Sequence, residues 1–145
     1  MKKTIIYFTG VYDTLDLFTE NLREAFEEMG YASFVYDARF RKQSEQALFG
    51  LLEDAAGHAG MAGTAAHVGH AGQPGLCPFT CITFNNLGYS LSLPDGRNLW
   101  NAYGIPYLNI LMDHPFHYEK PLRGMPQTSV IFCTDRNHVL YIRKY

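Results

Sequence analysis

The run Tyr107-Leu-Asn-Ile-Leu-Met112 breaks off in Asp113-His114-Pro115, and this junction limits the fold more than any other stretch of the chain. Five of its six residues are apolar, and six are too few for a free-standing helix. The run is therefore predicted to be a strand buried on both faces. Pro115 stops it, because proline has no N–H to give to a ladder. A carboxylate and, with His117, two imidazoles are left at the strand's carboxyl end. In open α/β sheets, ligands bind along that edge.

The flanking sequence supplies the rest of such a sheet. Thr4 to Thr9 is β-branched and aromatic and ends at Gly10. Leu15, Phe18, Leu22, Phe26 and Met29 then recur at three- and four-residue steps, which predicts a helix with one apolar stripe. Asp13 or Thr14 is its expected N-cap and Gly30 its stop. A second strand, Tyr31 to Tyr36, closes at Asp37, and this strand–helix–strand unit opens a parallel, doubly wound sheet. A polar turn, Arg39 to Ser44, leads to a helix through Gln46, Leu48, Leu51 and Leu52. Residues 55–75 are rich in Ala, Gly and His with no periodic apolar stripe, and are expected to be a flexible insertion or a weakly helical loop. Cys77 to Phe84 is the next strand, ended by Asn85-Asn86. Leu87 to Leu93 is expected to be loop, Pro94-Asp95-Gly96 a turn, and Asn98 to Tyr103 a short helix stopping at Gly104. A short segment from Phe116 to Leu122 follows the central run. Ser129 to Cys133 is a further strand, and Asp135 is the expected N-cap of a helix over 136–145 with Val139, Leu140 and Ile142 as its buried face. No Gly, Asn or Pro closes that helix, so the chain is expected to be the first part of a longer protein. The expected architecture is one Rossmann-like α/β domain over residues 1–145, a doubly wound parallel sheet of about five strands in a three-layer α/β/α sandwich.

Composition narrows the partners. A chain of 145 residues can bury a core of its own. Its net charge of −2 lacks the basic footprint of a nucleic-acid binder. No apolar run reaches the roughly 18 residues a membrane span needs. The start, Met1-Lys-Lys-Thr-Ile-Ile-Tyr-Phe8, is interrupted too soon for a signal peptide and is the first strand instead. Three cysteines are an odd number for a disulfide framework, so a reducing cytoplasm is expected.

Four strands end in residues better suited to ligands than to packing: Thr9-Gly10, Asn85-Asn86, Asp113-His114 and Thr134-Asp135. In a parallel sheet they share one edge. A carboxylate beside an imidazole can orient and charge it, as a general base requires, so Asp113 and His114 are the candidate catalytic pair. The alternative is that Asp113 caps the following helix while His117 packs on the surface. Asp135 is first of all a cap, and His138, one turn into its helix, is expected to face the cleft. His67, His70, Cys77 and Cys81 have zinc-like spacing. They lack a Cys-x-x-Cys and a rigid surround, Cys77 and Cys81 flank a strand, and no metal site is expected. Thr9-Gly10-Val-Tyr-Asp-Thr14 has the strand, glycine and helix start of a phosphate loop without the spaced glycines or Gly-Lys-Thr of the known fingerprints.

Three families enter by resemblance. The Thr-Gly-x-x-x-Thr spacing is similar to a flavodoxin FMN loop, although an aspartate inside it would repel a phosphate. Leu111-Met-Asp113 resembles the phosphoacceptor strand end of a receiver domain, but such a domain also needs an acidic pair after its first strand, where this chain has Thr9-Gly10. The third resemblance covers most. Ile82-Thr-Phe-Asn-Asn-Leu-Gly88, the stretch from Asp95 through Trp100, Tyr107 and Asp113 to His117, and Cys133-Thr-Asp-Arg-Asn-His-Val139 resemble the N-terminal domain of bacterial GT-B glycosyltransferases of the spore-maturation, CgeB-like kind. In such enzymes two Rossmann-like domains face each other, the first shaping the acceptor site and the second holding most of the sugar nucleotide. The resemblance implies a transferase working on a nucleotide sugar and a hydroxyl acceptor, with no cofactor, and inactive as this domain alone. It implies cleft roles for Asn85, Asn86, Asp113, His114, Asp135 and His138. Gly10, Tyr12 and His117 join Asn85, Asn86, Asp135 and His138 as candidate substrate-binding residues. A flavodoxin-like FMN protein and a non-catalytic ligand-binding or interaction domain are the alternatives.

Overall fold

The computed structural model describes residues 2–59 and 76–144. Five strands, β1 (Lys2–Thr9), β2 (Ala32–Asp37), β3 (Leu76–Phe84), β4 (Tyr107–Leu111) and β5 (Ser129–Cys133), form an all-parallel sheet in the order β2-β1-β3-β4-β5, flanked by helices. This is the Rossmann-like α/β/α architecture expected from the alternation of strand and helix signals. The chain divides into two compact units, Met1–Phe79 and Thr80–Tyr145.

In the first unit β1 and β2 run in register from Thr4↔Ala32 to Thr9↔Asp37. Five consecutive residues of β1, Thr4 to Phe8, are buried, as a strand covered on both faces must be. Helix α1 (Asp13–Glu28) has Tyr12 at its N-cap with no side-chain cap bond, and neither Asp13 nor Thr14 holds that place. The reason lies one turn in, where the Asp16 carboxylate reaches back and accepts from the Gly10 N–H at 2.8 and 3.1 Å. The apolar stripe also differs from expectation. Leu15 and Thr19 are buried, whereas Phe18 is 42% and Met29 70% exposed. Thr19 belongs on the inner face because its hydroxyl donates to the Phe8 carbonyl at 3.4 Å. The stop at Gly30 is as expected. With φ +93°, Gly30 N–H donates to Glu27 O at 2.9 Å and Tyr31 N–H to Phe26 O at 3.0 Å, the paired bonds of a Schellman motif. Helix α2 (Arg41–Ala59) begins inside the expected polar turn and carries the helix through residue 59. Of the segment 55–75, residues 60–75 lie outside the described residues.

In the second unit, β3 and β4 pair from Cys81↔Tyr107 to Phe84↔Ile110, and β4 and β5 from Tyr107↔Ser129 to Leu111↔Cys133. Tyr107, Asn109 and Leu111 are fully buried while Leu108 and Ile110 are partly exposed, so β4 is sealed on one face and half-covered on the other. The two-faced burial expected of it fails because the neighbours on its second face, Val130 and Phe132 of β5, are themselves exposed. Helix α3 (Leu99–Tyr103) is capped by Asn98, whose side chain accepts from Trp100 N–H at 3.1 Å and Asn101 N–H at 3.3 Å, and it stops at Gly104 in the left-handed region. Trp100 is buried and donates its indole N–H to Gly88 O at 2.8 Å. Helix α4 (Glu119–Arg123) follows a 3-10 turn, Pro115–Tyr118. Helix α5 (Arg136–Ile142) buries no residue fully, and Val139 and Leu140 are exposed. Its half-buried residues are His138, Tyr141 and Ile142. These are spaced i, i+3, i+4, so its inner face is turned by one residue from the one expected.

Candidate functional site

The carboxyl ends of β3 and β4 are tied together by three asparagines. Asn85 N–H donates to Ile110 O at 3.0 Å, which carries the β3–β4 pairing one residue past the strand. The chain then turns with φ +47° at Asn85 and +67° at Asn86. Asparagine tolerates this left-handed backbone better than other residues with a Cβ, but two in succession still carry strain. Asn109 holds them there. It is the one polar residue of the β4 run and is 0% exposed. Its Oδ1 accepts from Asn86 N–H at 2.9 Å and its Nδ2 donates to Asn86 Oδ1 at 2.8 Å. Asn86 is itself 4% exposed, and its own Nδ2 has no partner among the described residues.

With Asn86 locked inside, Asn85 works across the strand ends. Its Oδ1 accepts from Met112 N–H at 3.0 Å, and its Nδ2 donates to Asp113 Oδ2 at 2.9 Å. The Tyr118 hydroxyl donates to the same oxygen at 2.8 Å. Two donors therefore fix one oxygen of an exposed carboxylate, while Oδ1 accepts no hydrogen bond from the described residues.

The cap of the 3-10 turn is His114, not Asp113. His114 Nδ1 accepts from Phe116 N–H at 3.1 Å, with Pro115 buried beneath the turn. An imidazole that accepts at Nδ1 carries its neutral-state proton on Nε2, so His114 offers a donor there. The His114 ring meets His138 at 4.7 Å and 74° and Tyr141 at 5.4 Å and 70°, both edge to face. Tyr141 in turn donates its hydroxyl to Glu119 Oε1 at 2.7 Å. His138 Nδ1 is buried with no partner among the described residues.

The structure thus brings Asn85 to Asp113 and His138 to His114. His117 is exposed, its ring 5.8 Å from Phe116 and 6.5 Å from Tyr118. Asp135 caps α5, accepting from Asn137 N–H at 2.6 Å. Gly10 and Tyr12 belong to the first unit. There the Gly10 N–H, the donor a phosphate would use, is already taken by Asp16, and an added Cβ on Gly10 would fall 2.2 Å from Asp37 Oδ1. Asp37 is held by Arg39 through bonds of 2.9 and 3.2 Å, and this guanidinium keeps its carboxyl below the usual range. Of the zinc-spaced residues, His67 and His70 and the side chain of Cys77 lie outside the described residues. Cys81 is fully buried, and burial pushes its thiol up. Asn109, Tyr118 and Tyr141 are site residues that sequence reasoning misses. Only Asn109 leaves a signal, as a lone amide in an apolar strand.

Fold and geometry together define an α/β protein with a Rossmann-like parallel sheet and a braced carboxylate at the carboxyl edge of two of its strands. Compared with known protein families, with curated proteins and with solved structures, the sequence matches none of them. No helix among the described residues is long and apolar enough to cross a membrane.

Proposed function

We propose that this chain is the acceptor-side domain of a sugar transferase, in which Asp113 takes the proton of an acceptor hydroxyl. The observation that carries the reading is the state of that carboxylate. It is braced at Oδ2 by Asn85 and Tyr118, accepts nothing at Oδ1 from the described residues, and is relieved of capping by His114. A base must be fixed in place and still have an oxygen to receive a proton. His114, with its donor at Nε2, orients the hydroxyl and does not deprotonate it. In the reaction the acceptor oxygen bonds to the anomeric carbon, the bond from that carbon to the diphosphate breaks, and the nucleoside diphosphate leaves with the electron pair. The proton passes to Asp113. A second domain supplies the nucleotide-sugar site in this scheme, in keeping with the resemblance of residues 82–139 to the CgeB-like N-terminal domain. The flavodoxin-like alternative is weakened by Asp16, which occupies the loop donor an FMN phosphate requires.

The test uses the protein encoded by the whole reading frame, incubated with uridine-, guanosine- and thymidine-diphosphate hexoses and a panel of hydroxyl acceptors. Asp113→Asn keeps the shape and both bracing partners while losing the base, and should lower kcat by about 10²–10⁴-fold with an unchanged circular dichroism spectrum. Transfer by the variant within twofold of the parent, or no transfer by the parent, removes the reading.

A further inference from the structure

We infer that the acceptor bound at this site is a saccharide, held with the apolar face of a pyranose ring against Phe116 and a hydroxyl on Asp113. The inference rests on the transferase reading and names its substrate class. Phe116 is 62% exposed, a large apolar surface left in water. It is carried on a fixed backbone, since its N–H is bound by His114 Nδ1 at 3.1 Å and Pro115 before it is buried. The exposed ring thus stands on an anchored backbone position. A continuous set of rings joins it to the carboxylate. Phe116 meets His117 at 5.8 Å and 74°, His117 meets Tyr118 at 6.5 Å and 78°, and Tyr118 bonds Asp113 at 2.8 Å.

The chemistry of this strip selects among hydroxyl compounds. A carboxylate oxygen that accepts no hydrogen bond from the described residues is open to a hydroxyl, and His114, next in the chain, offers an imidazole N–H to another. An exposed aromatic ring is matched by a surface of C–H groups lying in one plane, as on one side of a pyranose. An open-chain polyol has the hydroxyls without that face. A peptide serine or threonine has one hydroxyl and no such face.

The probes are methyl glucopyranosides, methyl galactopyranosides and maltotriose, titrated into the isotopically labelled chain and followed by amide and imidazole NMR shifts, with sorbitol as the open-chain control. The expected result is saturable shifts confined to residues 113–118 at a Kd on the order of 1 mM, weakened at least fivefold by Phe116→Ala and by Asp113→Asn. Phe116 is exposed, so its truncation leaves the fold intact; an unchanged spectrum away from 113–118 verifies this. No saturable shift, or equal shifts with sorbitol, overturns the inference. The two claims fail separately. Asp113-dependent transfer to an acceptor without a sugar ring removes the saccharide and leaves the transferase. Pyranoside binding at 113–118 without Asp113-dependent transfer removes the transferase and keeps the saccharide site.

Discussion

Replacing Asn109 by Leu tests the construction beneath Asp113. The two side chains share the same branched heavy-atom skeleton, with leucine the larger, so the change removes polar partners and opens no cavity. It strips Asn86 of two bonds, from its backbone N–H at 2.9 Å and to its Oδ1 at 2.8 Å. Both groups stay buried, because Asn86 is only 4% exposed. An orphaned buried polar group costs about 1–3 kcal/mol, so the pair should cost roughly 2–6 kcal/mol. Burying leucine in place of an amide returns about 1.5–3 kcal/mol. The net loss is expected at about 0.5–3 kcal/mol. With a urea slope of about 2 kcal/mol/M, the unfolding midpoint should fall by about 0.25–1.5 M at constant slope. Asn86→Gly on the same background provides the control. Glycine adopts the φ of +67° without strain and has no side-chain oxygen to orphan, so the double variant should be more stable than the sum of the two singles by at least about 1 kcal/mol. A single-variant loss below about 0.5 kcal/mol, or additivity within about 0.5 kcal/mol, would refute the view that Asn109 holds the turn.

Gly10→Ala and Gly30→Ala share a left-handed backbone but differ in surroundings. An added Cβ meets Asp37 Oδ1 at 2.2 Å in the first and nothing within 4 Å in the second. Gly30→Ala should cost about 1–2 kcal/mol, the conformational penalty alone, and Gly10→Ala clearly more; equal midpoints in urea would show the loop yields freely. At alkaline pH stability should fall. Burial raises the Tyr107 phenol and the Cys81 thiol well above their ordinary values, and both are neutral in the fold. Their contribution is complete below the unfolded pKa values, near 8.5 for thiol and 10 for phenol, and is lost as pH rises past them, by up to about 1.4 kcal/mol per pH unit per group. Tyr107→Phe loses the bond to Leu87 O at 2.7 Å, about 1 kcal/mol at pH 7. It should also flatten the decline above pH 10 in urea midpoints, and an unchanged decline would assign the effect elsewhere.

The parallel sheet is legible in the sequence because each strand is a short apolar run closed by Gly, Asn, Asp or Pro, and such punctuation depends on local backbone chemistry alone. The inner faces of the helices are less so. Thr19 replaces Phe18 on α1 because a hydroxyl can pay its burial with the Phe8 carbonyl, a partner that periodicity does not see. On α5 the true face, His138, Tyr141 and Ile142, is only one-third aliphatic, so a search for apolar residues settles one residue away. Within the site, Asp113 and His114 are visible as polar residues at a strand end. Their division of labour is not, because which of two adjacent residues caps a turn depends on rotamers and on Tyr118, five residues on.

That division is also what makes the strained turn intelligible. Two consecutive left-handed asparagines and a buried amide whose Nδ2 has no partner among the described residues each carry a penalty of about 1–3 kcal/mol, and all of it falls within Asn85-Asn86. A glycine at either position would relieve the backbone but remove a side chain. At Asn85 that side chain binds Met112 N–H with one atom and Asp113 with the other, which ties the first residue past β4 to the carboxylate next to it. At Asn86 it answers Asn109 from within the core. The strain therefore fixes the position of one carboxylate oxygen relative to two strand ends, a result that contributes little to burial and suits the role proposed for Asp113. Costs gathered at one residue pair, beside the exposed acid they position, are what the proposed function requires of a site kept at the expense of local stability.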